Sequence, residues 1–243
     1  MKCNQKPLDT MKKNNALFWG IIITVFIAIL STWVSRLINI KTEFIPNSLV
    51  THSIMLILSV SAVFWLKKYV NYHISIPNLR STIKPVIFGF LVSLIGTMIT
   101  MSIIMSNKEI NGTELSMPTS KMSVLQIFIF VFLYASLAEE MLYRGFLQNF
   151  LEPLKEKGIR VLNRKISVPV IISAVLFGIS HLVLLKPGEN IYFVFGIIIT
   201  SIFIGIIAGY YQEKNNNNFY AIITHMSANV VGLIGAFMMN LNS

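Results

Sequence analysis

The sequence predicts an all-α, polytopic membrane protein with about seven transmembrane helices, an eighth short or re-entrant helix being the alternative. Three observations predict it. Only 12% of the 243 residues are Asp, Glu, Lys or Arg, about half the usual share in a soluble domain. Apolar residues make up 54% and mean hydropathy is +0.68, more apolar surface than one core could hide under a charged exterior. The basic residues, 20 against 10 acidic, sit between long apolar runs and form no stripe. That excludes a nucleic-acid surface and fits loops between spans. The one cysteine, Cys3, excludes an internal disulfide scaffold.

A bilayer core takes about 20 apolar residues per helix. The first such segment, 16–37, follows Lys12 and Lys13 but has no small-x-small cleavage site after it. It reads as a retained span rather than a signal peptide. Segments 48–66 and 85–105 are separated by Lys67, Lys68, Arg80 and Lys84. Segment 124–146 is the span that holds acids. The stretch 151–165 is a basic, partly amphipathic connector with Pro153 and Gly158, placed on the inner leaflet surface. Segments 168–185, 191–211 and 219–239 complete the seven. Gly205 and Gly209 have helix-packing spacing within the sixth, and the run Asn215–Asn218 reads as a turn.

Alternate polar regions carry 15 and 5 of the basic residues, and the richer set belongs inside. The expectation is a multi-pass protein of the cell membrane, N-terminus cytoplasmic and C-terminus outside if there are seven spans. Residues 1–121 form an N-terminal region of three helices without a recognised motif. Residues 122–243 carry the candidate site.

The informative residues are ionisable groups in the wrong solvent. Of the acids, Glu139 and Glu140 fall within a span; of the histidines, His181 and His225 do, while His52 and His73 read as a span end and a loop. A charge at the bilayer centre costs about 3 kcal/mol or more, so such residues mark a site by default. Glu140 and Arg144 are four apart and can pair, and Glu139 is turned about 100° away. Phe177 and His181 are four apart, as are His225 and Asn229. Helices four, five and seven therefore each present one polar cluster, and converging faces would make a chamber. Glu139 reaches the depth of His181 only if helix four continues through 141–151.

A carboxylate and two imidazoles in such a chamber can bind a divalent metal or activate water directly. With Arg144 beside Glu140, Glu139 is the tunable base, and two imidazoles and an amide can hold an oxyanion. That set suffices for amide-bond hydrolysis. A zincin site fails for want of His-Glu-x-x-His. The one aspartate is Asp9 in the tail, which rules out a two-aspartate protease. Ser180 and Ser227 lie in no glycine-rich nucleophile motif. The last span has no lysine for a retinal Schiff base.

Glu139-Glu140-Met141-Leu142-Tyr143-Arg144 resembles the Glu-Glu-x-x-x-Arg motif of the CPBP family, the CAAX-protease and bacteriocin-processing or Abi family. Phe177–His181 resembles its Phe-x-x-x-His motif and His225–Asn229 its His-x-x-x-Asn motif, in the same order. The resemblance covers residues 122–237. It implies a glutamate-dependent CAAX-type intramembrane endopeptidase, usually classed as a metalloprotease. Glu139 would activate water, Glu140 and Arg144 would support it, and His181, His225 and Asn229 would stabilise the oxyanion. Glu139, His181 and His225 could instead hold Zn²⁺; the sequence leaves zinc and no metal both open. The implied partners are a membrane-associated peptide or protein substrate and the lipid bilayer, with no nucleic acid. The implied bacterial roles are peptide maturation and bacteriocin self-immunity. Two other readings remain at this stage: a non-catalytic partner-binding or immunity protein on the same fold, and a proton-coupled transporter. Loss of motif residues would favour the first, and inverted repeats the second; the sequence has neither.

Overall fold

The computed structural model describes residues 13–38, 40, 42–106, 122–185 and 190–241. They form a helical membrane protein with seven long helices and one small hairpin. The helices are α1 (Lys13–Leu37), α2 (Ser48–Trp65), α3 (Leu79–Ser106), α4 (Val124–Gln148), α5 (Val168–Ser180), α6 (Ile191–Asn215) and α7 (Phe219–Leu241). Six of these are long and apolar enough to cross a bilayer. The exception is the fifth, whose apolar run Val168–Leu184 falls short of the usual span. Its last turn tightens to a 3₁₀ helix at His181–Leu184, so His181 stands at a helix end and not in mid-span.

Local signals set most boundaries. α3 starts at Leu79, six residues before the expected 85. Asn78 opens it: its side-chain oxygen accepts from the Arg80 N–H at 3.0 Å. The basic Arg80 and Lys84 therefore lie on the first turns and not in a loop. A capping box starts α4. Ser123 Oγ accepts from the Gln126 N–H and Gln126 Oε1 from the Ser123 N–H. The Gln126 amide also donates to the carbonyls of Glu43 and Phe44, at 3.0 and 2.8 Å, which ties the α1–α2 connection to this helix. Ser167 caps α5 with Pro169 in its first turn. Asn190 caps α6, whose far end is closed by Asn216 in the left-handed region, φ 45°.

α4 is irregular inside. It is π-helical over Ile127–Ala135 and Met141–Gln148, and α-helical over Ser136–Glu140 between them. Such insertions concentrate at functional positions because the wider turn re-aims the side chains around it. The two glutamates stand on the short regular segment. The helix runs on past Phe146, as the depth of His181 requires.

The expected surface connector is instead a folded piece. A 3₁₀ turn at Glu152–Leu154 leads into strands β1 (Gly158–Val161) and β2 (Arg164–Ser167), paired antiparallel with Ile159 opposite Ile166. Leu162 and Asn163 make the two-residue turn with φ of 46° and 62°, the positive values a tight hairpin needs. Alternation then puts Arg160 and Lys165 on one face and Ile159, Val161 and Ile166 on the other.

Residues before and after position 121 share one core. Ile27 of α1, Met55 and Ala62 of α2, and Val70 pack with Leu142, Phe146, Leu147 and Phe177. Gly205 and Gly209 have the packing role their spacing suggested. A Cβ on Gly205 would lie 2.6 Å from Arg144 Nη2 and 2.9 Å from the Ala174 Cα, and one on Gly209 would lie 2.6 Å from Gln148 Oε1. α6 thus approaches both α4 and α5 through its missing side chains. Gly205→Ala should cost about 1–3 kcal/mol, the usual range for overpacking, read as a lower Tm of the detergent-solubilised protein. An unchanged Tm would show that α6 can move aside freely.

The asparagine run is more than a turn. Asn217 and Asn218 are buried. Asn217 Nδ2 donates to the Ser75 carbonyl at 2.9 Å, while its Oδ1 accepts from the Ser75 and Phe219 N–H groups at 3.2 and 3.0 Å. The Asn218 N–H donates to the His73 carbonyl at 2.9 Å. The α6–α7 turn is thereby stitched to the α2–α3 connection, a pairing across more than 140 residues that spacing along the chain does not reveal. Asn217→Ala leaves the Ser75 groups unpaired and should destabilise by about 1–3 kcal/mol, measured by thermal unfolding.

Candidate active site

Helix geometry alone brings Glu140 and Arg144 together, and packing supplies the rest. Arg144 Nη1 donates to Glu140 Oε1 at 2.8 Å, with both side chains wholly buried. The same carboxylate oxygen lies 2.9 Å from His225 Nδ1. A carboxylate accepts, so Nδ1 carries the proton. That leaves Nε2 of His225 facing the other glutamate, 3.7 Å from Glu139 Oε2. Glu140 is therefore a fixed bracket between Arg144 and His225, whereas Glu139 keeps about 18% of its side chain accessible.

Phe177 organises the aromatic side of the site. Its ring lies 5.1 Å from the His181 ring and 5.2 Å from the His225 ring, both edge-on, and 5.3 Å from Tyr143. The Arg144 guanidinium carbon sits 4.6 Å from its centroid, within the range of a cation–π contact. One buried phenyl ring thus spaces two imidazoles and covers the face of the buried cation. His181 itself is fixed by Nδ1, which donates to the Phe177 carbonyl at 3.0 Å.

Of the residues singled out in the sequence, Glu139, Glu140, Arg144 and His225 are joined by direct contacts, and His181 is joined through Phe177. Asn229 is placed differently. Its Nδ2 donates to the Val131 carbonyl at 3.3 Å and to Ser136 Oγ at 3.0 Å, so both amide hydrogens are engaged with α4. Arg144, assigned to the inner basic region on its sequence position, is wholly buried. Only fourteen basic residues then remain for that side, against five, and the bias keeps its sign.

Sequence reading passed over His52. It lies near the start of α2, as its place at a span end suggests, and its Nε2 is 3.4 Å from Glu139 Oε1. A signal existed. His52 falls in register with the inward-facing Met55, Ser59 and Ala62, at helical spacings of three and four.

The resemblance allowed zinc on Glu139, His181 and His225. Among the described residues no group of three or more His, Cys, Asp or Glu side chains could hold a metal ion. His225 and His181 each bond a protein acceptor through Nδ1 and keep Nε2 free, an arrangement that metal-binding histidines share. The chemistry below is written with the side chains alone.

Residues 121–231 match the family model described as "Type II CAAX prenyl endopeptidase Rce1-like". No curated protein and no solved structure matches the chain.

Proposed function

We propose that this multi-pass membrane protein, whose residues 121–231 match the Rce1-like CAAX endopeptidase model, hydrolyses a peptide bond in a membrane-associated peptide or protein. The observation that carries the reading is the pair of adjacent glutamates in unlike surroundings. Glu140 is immobilised by Arg144 and His225, and Glu139 is accessible and flanked by imidazole. Two like groups with separate environments take separate roles.

Glu139 takes a proton from the attacking water. The oxygen adds to the scissile carbonyl carbon, and the proton passes from Glu139 to the departing amide nitrogen as the C–N bond breaks. The cluster holds two carboxylates against one guanidinium, so it accommodates one imidazolium at overall neutrality. In that form Nε2 of His225 or of His181 donates to the oxyanion as charge develops. Asn229 supports the site through α4, since its amide N–H is already engaged there.

The surplus of basic residues favours a cytoplasmic N-terminus in the cell membrane; an outer C-terminus requires α5 to cross as a seventh span, and six spans would put it inside. The family resemblance favours bacterial peptide maturation or self-immunity as the setting. The experiment is to reconstitute the purified protein in liposomes with a set of quenched-fluorescent transmembrane peptides and to identify products by mass spectrometry. A discrete cleavage that disappears in Glu139→Ala supports the reading. Wild-type protein that cleaves no member of the set, or a Glu139→Ala protein as active as wild type, counts against it.

A further inference from the structure

We propose that His52, on α2 and outside the family-matched segment, is a positioning residue of this site that orients the Glu139 carboxylate. The inference rests on the assignment of Glu139 as the base. The two oxygens of that carboxylate are treated separately: Oε1 faces His52 Nε2 at 3.4 Å and Oε2 faces His225 Nε2 at 3.7 Å. His52 has no other polar partner among the described residues, its Nδ1 being buried without one. A histidine placed in a spanning helix as interhelical glue would bond a carbonyl or hydroxyl of a neighbour; this one meets only the carboxylate.

α2 is held so that His52 must face this way. Ser53 Oγ and Tyr134 Oη are 2.9 Å apart, a clamp one residue from His52 and on the same helix as Glu139. Below it Met55, Ser59 and Ala62 are buried against the core on the same face. The arrangement fixes α2 about its own axis and sets the imidazole against Oε1. Facing Oε1, the His52 imidazole holds that oxygen on its own side, and Oε2 stays on the His225 side to receive the proton from water. The first half of the chain thereby contributes to a site whose motifs all lie in the second.

The test compares His52→Phe and His52→Gln with wild type and Glu139→Ala in the liposome assay, on protein recovered folded by size exclusion. Phe fills the space and removes the donor; the Gln amide keeps a donor within reach. His52→Phe should lower kcat by about 10–100-fold, as expected when a reacting group is misplaced by about an ångström, with KM changed less than about twofold. His52→Gln should restore most of kcat. Full activity of His52→Phe beside an inactive Glu139→Ala would overturn the role of His52 alone. An active Glu139→Ala would remove the base assignment and this inference with it. Equal loss in both His52 variants, or loss of folded protein together with activity, makes His52 a structural residue and also overturns the proposal. A check independent of substrate is the ¹⁵N resonance of His52 Nε2, which should move on Glu139→Gln; an unmoved resonance overturns the contact itself.

Discussion

Glu139→Gln is expected to lower kcat for peptide cleavage by about 10³-fold, within the range that removal of a general base produces. Gln keeps the shape and a hydrogen-bonding end, so His52 and His225 retain a neighbour, but an amide cannot take the proton from water. The folded fraction should therefore match wild type. The change should fall on kcat and not on KM, because the lost interaction exists only along the reaction path. Cleavage kinetics of the reconstituted variant decide it. A variant within a few-fold of wild type would move the base elsewhere, and Glu140 is a poor substitute given its contacts with Arg144 and His225.

Arg144→Met should produce the largest loss of stability. The guanidinium is wholly buried, 2.8 Å from Glu140 Oε1 and 4.6 Å from the Phe177 centroid. Removing it leaves the Glu140 carboxylate without its cation in a low-dielectric interior. Breaking one side of a buried pair costs about 3–5 kcal/mol, equivalent to a fall in Tm of the order of 10 °C for a chain of this size. The double variant Glu140→Gln/Arg144→Met removes both charges, and it should recover more than half of the loss. It should remain inactive, because Glu140 also fixes His225. Differential scanning fluorimetry in detergent measures both proteins. A single variant as stable as wild type would show that the carboxylate finds another partner or a proton.

The reach of the sequence differs between the two halves of this site. Contacts within one helix were legible: Glu140 with Arg144 and Phe177 with His181 follow from spacings of four. So were the apolar runs, because a bilayer imposes nearly the same length requirement on every span. What spacing could not supply was rotation and convergence between helices. His52 was set aside as a span-end residue, and its partner Glu139 is 87 positions away in the chain although only 3.4 Å away in space. Spacing put Asn229 on the His225 face, but only packing shows its amide bonding α4, whose π-helical turns leave no clear periodic mark. Asn217 carried the composition of an ordinary turn, and only the packing of two connections gave it partners at Ser75.

The sequence by itself determined that this is a mainly helical membrane protein and which ionisable groups its helices must shelter. Burial of charge in lipid is so costly that the exceptions declare themselves in composition. Tertiary structure decided the division of surroundings among those groups. It locked Glu140 between Arg144 and His225, left Glu139 accessible, and brought an imidazole from the first half of the chain against it. Such a division depends on distances of a few ångströms between side chains far apart in the chain, and only the packing of the helices sets those distances.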